Sequence, residues 1–387
     1  MLRFLHTADW QLGLKLAFIP GDRGAIARAE RFEVVRRIAA LAKARDVHAV
    51  VVAGDVFDDN AVGRDTIQRA RDVLDELAPI PVLLLPGNHD AGGPDSVLRR
   101  LGAGKHVTAL LDHASVEVAG ARFYPCPLLR RHERDDPTRD LPARAPGDPV
   151  RVAIAHGGLL DFGEGESYNR IDWLGVLAKG FDYLALGDWH GTLSFDPRVW
   201  YPGAPEATRF KEKRPGNVLV VEIDEPGAKP RVEEVLVQRT RWISRREPLD
   251  DDSHVDALAA WLEGLEQKSM TLVELTLAGA LSPAARVKLD ALLERKEEEL
   301  MLLRVSTDEL HDRASEADFQ ELAGDGVVGR AAVILRAAAS AKTAPSPPAD
   351  PLSAASVDGA KPAGEAEDAL RLLHRFVLEE RAAEANG

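Results

Sequence analysis

Short apolar runs alternate along the first half of the chain with longer stretches in which apolar residues recur every three or four positions. Residues 2–5, 49–52 and 82–85 are runs of the first kind and are predicted as strands. Between them, residues 25–44 space Ile26, Phe32, Val35, Ile38 and Ala39 at helical intervals, and residues 65–78 repeat the pattern. This strand–helix–strand–helix–strand rhythm predicts an α/β sheet with parallel pairing. Two more apolar runs, 152–155 and 183–186, follow. Residues 218–223 and 232–237 read as a β-rich segment joined by a Pro/Gly turn.

After Arg246 the pattern changes to a predicted helix at 254–266, a strand at 272–277, a charged helix at 283–299 and a strand at 300–305. The chain is therefore divided into a first domain at 1–246 and a smaller α/β domain at 247–337. Residues 338–364 are rich in Ala, Pro and Ser and read as a flexible linker. Residues 365–387 close the chain, with Leu370, Leu373, Phe376 and Val377 marking an amphipathic helix over 365–383.

Charge sharpens this division. The net charge of −14 falls entirely after residue 246, because residues 1–246 hold 35 basic and 35 acidic side chains. That excess argues mildly against a nucleic-acid ligand, although a local basic surface is compatible with it. The single cysteine, Cys126, excludes an intramolecular disulfide and a cysteine-based zinc site. No run is long enough to span a bilayer and the start lacks a signal-peptide pattern, so a soluble, cytoplasmic protein without membrane attachment is expected.

The ends of the predicted strands carry the chemistry. Asp9 follows the first, Gly54-Asp55 the second, Gly87-Asn88-His89-Asp90 the third, His156 the fourth and Gly187-Asp188-Trp189-His190 the fifth. In open α/β sheets, polar chemistry collects at such strand ends. Any one of these residues could be a helix cap or a turn, but five in order point to a centre of oxygen and nitrogen ligands. Such a centre suits two divalent cations acting on a phosphodiester. Trp10 and Trp189 either stack a base or wall the pocket.

The ordered set resembles the calcineurin-like metallophosphoesterase superfamily. Within it, His6-Thr7-Ala8-Asp9-Trp10-Gln11-Leu12-Gly13, Gly54-Asp55-Val56-Phe57-Asp58 and Tyr201-Pro202-Gly203-Ala204-Pro205-Glu206 resemble DNA repair nucleases of the SbcD type. The resemblance covers about residues 1–245 and extends loosely over 246–310. It implies a β-sandwich flanked by helices, a small α/β capping domain and a tethered C-terminal helix. Asp55 would bridge two metals, Asp9 and His190 would complete one shell, and Asn88 and His156 the other. His89 would face the scissile phosphate, and Asp90 would either orient His89 or cap a turn. Manganese is the expected metal, with magnesium, iron or zinc as alternatives.

This chain departs from the family at two positions. Gln11 and Asp188 stand where the family has histidines. Aspartate is a hard ligand that would retune the second metal. A neutral Gln amide either ligates the first metal through its oxygen or leaves that metal weakly held.

The resemblance further implies DNA as substrate, a homodimer formed through helices near the start, and a coiled-coil ATPase of the SbcC kind gripped by residues 365–383. A phosphodiesterase or phosphatase acting on a small nucleotide is the alternative reading. A metal-poor, non-catalytic scaffold is a third.

Overall fold

Each apolar run at the start of the chain forms a strand, and each amphipathic stretch a helix that covers it. The computed structural model describes residues 1–160 and 168–313, with positions 330, 331 and 334. The expected linker at 338–364 and helix at 365–383 lie outside the described residues.

In chain order the elements are β1 (Leu2–Thr7), α1 (Gly21–Ala44), β2 (Ala49–Ala53), α2 (Arg64–Asp75), β3 (Val82–Leu85), α3 (Val97–Leu101), β4 (Val107–Ala109), β5 (Val116–Val118) and β6 (Ala121–Cys126). There follow β7 (Val150–His156), β8 (Gly158–Leu159), β9 (Arg170–Ile171), α4 (Trp173–Ala178), β10 (Tyr183–Gly187), β11 (Leu193–Asp196), β12 (Val199–Tyr201), β13 (Asn217–Ile223) and β14 (Arg231–Leu236). The last are β15 (Arg241–Leu249), α5 (Ser253–Glu263), β16 (Thr271–Leu281), α6 (Pro283–Glu299) and β17 (Leu302–Asp312).

Two six-stranded sheets pack face to face. The first has the order β14-β13-β1-β2-β3-β4, and the second β11-β12-β10-β7-β6-β5. Phe4, Val51 and Leu83 of the first meet Phe123, Val152, Ile154 and Tyr183 of the second in one core. Phe4 sets its ring edge-on to Phe123 and Tyr183, at centroid distances of 5.7 and 5.5 Å, a favourable arrangement of aromatic quadrupoles. The outer face of the first sheet buries Val50, Val52 and Leu84 against Phe32, Val35 and Ile38 of α1 and Ala70 and Val73 of α2. The outer face of the second packs Ala153 and Leu184 on Val176 of α4. The layering is therefore helix, sheet, sheet, helix, a β-sandwich flanked by helices.

Strands β1, β2 and β3 are mutually parallel, as are β6, β7, β10 and β12. Register aligns their C-terminal ends: Thr7 pairs with Val52, Ala53 with Leu85 and His156 with Gly187. Parallel pairing thus delivers the polar residue after each of five strands to the same edge of the sandwich.

The described chain divides into two compact units. One comprises Met1–Arg245, Glu266–Glu274 and Glu297–Arg304; the other comprises Arg246–Leu265, Leu275–Lys296 and the chain from Val305. Strands β15, β16 and β17 form a three-stranded sheet in that order. In the second unit, α5 buries Val255, Leu258 and Leu262, and α6 buries Ala285, Leu289 and Leu292. Among the described residues no helix is long and apolar enough to cross a membrane.

Candidate metal centre

The five strand-end segments converge. One oxygen each of Asp9 and Asp55 and one ring nitrogen of His156 lie within 4.8 Å of one another, and all three residues are buried. His156 Nε2 is 3.5 Å from Asp55 Oδ1 and 3.7 Å from Asp188 Oδ1. The main-chain amide of Asp188 donates to both oxygens of Asp9 at 3.2 Å. Gln11 Nε2 lies 3.2 Å from His190 Nε2. His89 Nε2 is 4.0 Å from Asp55 Oδ2. A cavity of about 860 Å³ opens over Gln11, Asp55, His89, Asp188 and His190, with Lys15 and Arg209 on its wall.

The backbone is shaped for this approach. Asp9, Gln11, Asp55 and Asp188 have φ of 55°, 44°, 53° and 101°, the left-handed region that L-residues seldom enter. Four such residues in one cluster mark a functional constraint rather than an accident of turns. The turns are locked by main-chain bonds from Asp9 N to Gly54 O and from Gln11 N to Asp55 O, at 3.0 and 2.9 Å. Two glycines are obligatory: a Cβ at Gly54 would sit 2.1 Å from His156 Nδ1, and one at Gly87 2.1 Å from Asp55 Oδ1.

Burial and crowding set the electrostatics. Burial pushes the Asp9 carboxyl up to about 6 against the opposing pull of His190 and His156. Asp188 is partly open to the cavity, its side chain 39% exposed, yet desolvation among its neighbours, with the Asp55 charge, raises it above the usual carboxylate range. Asp55 is buried too, but the neighbouring His156 pulls it below that range. Burial alone would lower His156, yet the Asp55 carboxylate beside it holds the ring well above its ordinary value. The carboxylates of Asp9, Asp55 and Asp188 thus crowd the imidazoles of His156 and His190.

Two atoms test whether a cation fits. His156 Nε2 and Asn88 Oδ1 are buried, and among the described residues neither has a hydrogen-bond partner. Leaving such atoms unpaired costs free energy, and His156 Nε2 faces the Asp55 and Asp188 carboxylates. The residues present therefore fit divalent metal ions.

Each ring is held from behind. His156 Nδ1 meets the Ala53 carbonyl at 2.8 Å and His89 Nδ1 the Asp58 carbonyl at 2.8 Å. Asp90 accepts from Gly87 N at 2.7 Å and from Phe57 N at 3.1 Å, so its carboxylate braces the turn that carries Asn88 and His89. Burial, with the nearby Asp55 charge, lifts that carboxyl to about 7. Trp10 is sealed in the core, its Nε1 donating to Thr7 Oγ1. It can stack no base, whereas Trp189 is 42% exposed.

Two supporting residues, Glu212 and Arg31, escaped the sequence reading. His190 Nδ1 lies 2.5 Å from Glu212 Oε1, and Glu212 also accepts from Thr208 N at 2.9 Å. Burial is outweighed there by the His190 hydrogen bond, so Glu212 stays below its usual range. Arg31 of α1 is fully buried and donates to the carbonyls of Trp10 at 2.7 Å, Gln11 at 3.2 Å and Glu206 at 3.3 Å. It ties the Asp9–Gln11 turn to the segment that leads to Glu212. Glu206 in turn binds Arg37 at 2.7 Å and Thr240 Oγ1 at 2.5 Å. Glu212 lies in Lys211-Glu212-Lys213-Arg214, which reads as a solvated run, and Arg31 reads as the polar side of a helix.

A sandwich of two mixed sheets with polar side chains gathered at its strand ends defines a metallophosphoesterase. Residues 2–221 match the calcineurin-like phosphoesterase family, and the chain belongs to it. Among individual proteins, the chain is 24% identical over 330 residues to the SbcD component of the nuclease SbcCD of Bacillus subtilis, covering 73% of this chain and 81% of that protein. It is 30% identical over 243 residues to the DNA double-strand break repair protein Mre11 of Haloferax volcanii, covering 57% of this chain and 49% of that longer protein.

Proposed function

We propose that the chain is a two-metal phosphodiesterase that hydrolyses the DNA backbone, working as the nuclease component of a complex with a coiled-coil ATPase. The observation that carries the reading is the buried cluster of Asp9, Asp55 and His156, together with two buried atoms, His156 Nε2 and Asn88 Oδ1, that make no hydrogen bond. Asp9, Gln11 and His190 would hold one ion and Asn88, His156 and Asp188 the other, with Asp55 between them. The mixed oxygen and nitrogen donors favour manganese, with magnesium, iron and zinc as alternatives. Bound there, the ions would offset phosphate charge and supply hydroxide from water at neutral pH.

The protein's own groups do the rest. His89 donates a hydrogen bond from Nδ1–H to the Asp58 carbonyl, which fixes the ring and leaves Nε2 towards Asp55, 4.0 Å away. From there Nε2 can hold a proton near the leaving oxygen of a bound phosphodiester. Lys15 and Arg209 bring positive charge to a cavity wall otherwise rich in carboxylates, where flanking phosphates would be gripped. The names of the two relatives support DNA as the substrate, and the first relative's place within a named two-part nuclease supports a multi-protein complex.

The test is cleavage of a labelled DNA duplex and hairpin in manganese, with Asp55→Ala and His89→Ala alongside and bis-p-nitrophenyl phosphate as a small ester. Cleavage of DNA that both variants lose is the expected result. Hydrolysis of the small ester alone by the chain and its ATPase partner together would point to a nucleotide-sized substrate. Loss of neither activity in Asp55→Ala would overturn the reading.

A further inference from the structure

We propose that the two halves of this centre fill in order: the Asn88–His156 side takes the first ion, and the Gln11–His190 side takes the second only after the Gln11 amide releases the His190 ring. The inference rests on the metal-dependent reading above and deepens it.

The two imidazoles are not equivalent. A carboxylate only accepts, so Glu212 at 2.5 Å places the ring proton of His190 on Nδ1. On the other edge of the ring the Gln11 side-chain amide lies in hydrogen-bond contact with His190 Nε2, 3.2 Å away. The atom that would bind metal is thus already engaged within the protein. On the other side, His156 gives its Nδ1 proton to the Ala53 carbonyl, and its Nε2 is buried without a partner. Asn88 Oδ1 is in the same condition, and Asp55 and Asp188 stand 3.5 and 3.7 Å from that Nε2.

A cation entering the Asn88–His156 side replaces the contacts of His156 Nε2 with the Asp55 and Asp188 carboxylates, at 3.5 and 3.7 Å, but breaks no hydrogen bond. On the Gln11 side it must break one. What residue 11 then offers is a neutral amide oxygen instead of an imidazole, and only after the amide turns over. The Gln11 main chain cannot help, because its N–H is bound to Asp55 O at 2.9 Å and its carbonyl to buried Arg31 at 3.2 Å. The change is confined to side-chain torsions. A lost hydrogen bond together with a weaker ligand separates the two affinities by at least about tenfold. Hydrolysis would then follow the weaker constant, so the chain's activity would report metal supply.

Manganese titration of the metal-stripped full-length chain tests this, read by calorimetry and by the electron paramagnetic resonance signal of a spin-coupled ion pair. Two binding steps at least about tenfold apart are expected, with the coupled-pair signal growing only in the second. Gln11→His should draw the steps together, and Asn88→Ala should weaken the first, each variant being checked for an unchanged thermal melt. A single step with coupled pairs from the first addition would overturn the loading order while leaving the metal-dependent reading intact. So would a Gln11→His variant whose two steps stay as far apart as in the wild type. A wild-type chain that binds no manganese would overturn both.

Discussion

Replacing His6 with glutamine should flatten the acid side of the stability curve. His6 lies three residues before Asp9 and is fully buried, its ring held between the Tyr183 hydroxyl and the Leu186 carbonyl. Its Nε2 is 3.1 Å from the Leu186 carbonyl, which can only accept, so the proton sits on Nε2. Nδ1 then accepts from the Tyr183 hydroxyl, also at 3.1 Å. Tyr183 is itself held protonated by burial, which pushes it well above its ordinary value. Both nitrogens of the neutral ring are satisfied, and burial lowers the group from 6.5 to about 3 despite the bond to Leu186.

Between those two values the unfolded chain binds a proton at this position and the folded chain does not. Stability from this residue is therefore fully present above about pH 6.5 and is lost as pH falls towards 3, at about 1.4 kcal/mol per unit. From pH 7 to pH 5 the loss amounts to about 2 kcal/mol. Glutamine can donate to Leu186 but does not titrate. Urea denaturation of wild type and His6→Gln at pH 7, 6 and 5 should show the wild type losing about 2 kcal/mol more than the variant across the range. Parallel pH profiles for the two proteins would refute the reasoning, since every other titrating group is common to both.

Other consequences are equally open to measurement. Glu212→Gln should weaken manganese binding by about ten- to a hundredfold, because the residue behind a ligating imidazole sets its orientation and basicity; calorimetry with unchanged affinity would dismiss the role. Arg31→Met strips the donor from buried carbonyls of Trp10, Gln11 and Glu206. Gln11 O keeps its bond from Leu14 N, so the loss should be about 2 kcal/mol or more at about 1–3 kcal/mol for each of the other two carbonyls, as read by denaturant midpoint. Cys126 is buried and its thiol is pushed far above the ordinary range by that burial. A chromogenic disulfide reagent should therefore leave it untouched in the native protein and titrate one thiol per chain in guanidinium.

Much of the sandwich was legible because its central strands are uninterrupted apolar runs. Residues 49–52 and 82–85 read as strands since parallel strands covered on both faces must be apolar throughout, and they form β2 and β3. Strand β6 was not legible. Its sequence, Ala-Arg-Phe-Tyr-Pro-Cys, carries Arg122 and Pro125, although most of it is buried against β7. Strand β15 also escaped, because Arg241, Arg245 and Arg246 break its apolar pattern. At the site, the ordered Asp, Asn and His residues were visible because strand ends mark them. Arg31 and Glu212 were invisible because each looks like a solvated charge until α1 and the 206–212 segment fold against the Asp9–Gln11 turn. Gln11 was visible as a departure, but its engagement of His190 emerged only from side-chain geometry.

Everything proposed for this centre depends on the cluster holding metal for phosphodiester hydrolysis. The direct measurement is elemental analysis of manganese per chain after equilibration in excess manganese, made on wild type and Asp55→Ala and paired with hydrolysis of labelled DNA by the same samples. Two ions per wild-type chain, fewer in Asp55→Ala, and hydrolysis lost in the variant are the predicted result. An Asp55→Ala protein that keeps its full metal content and cuts DNA at the wild-type rate would contradict that claim.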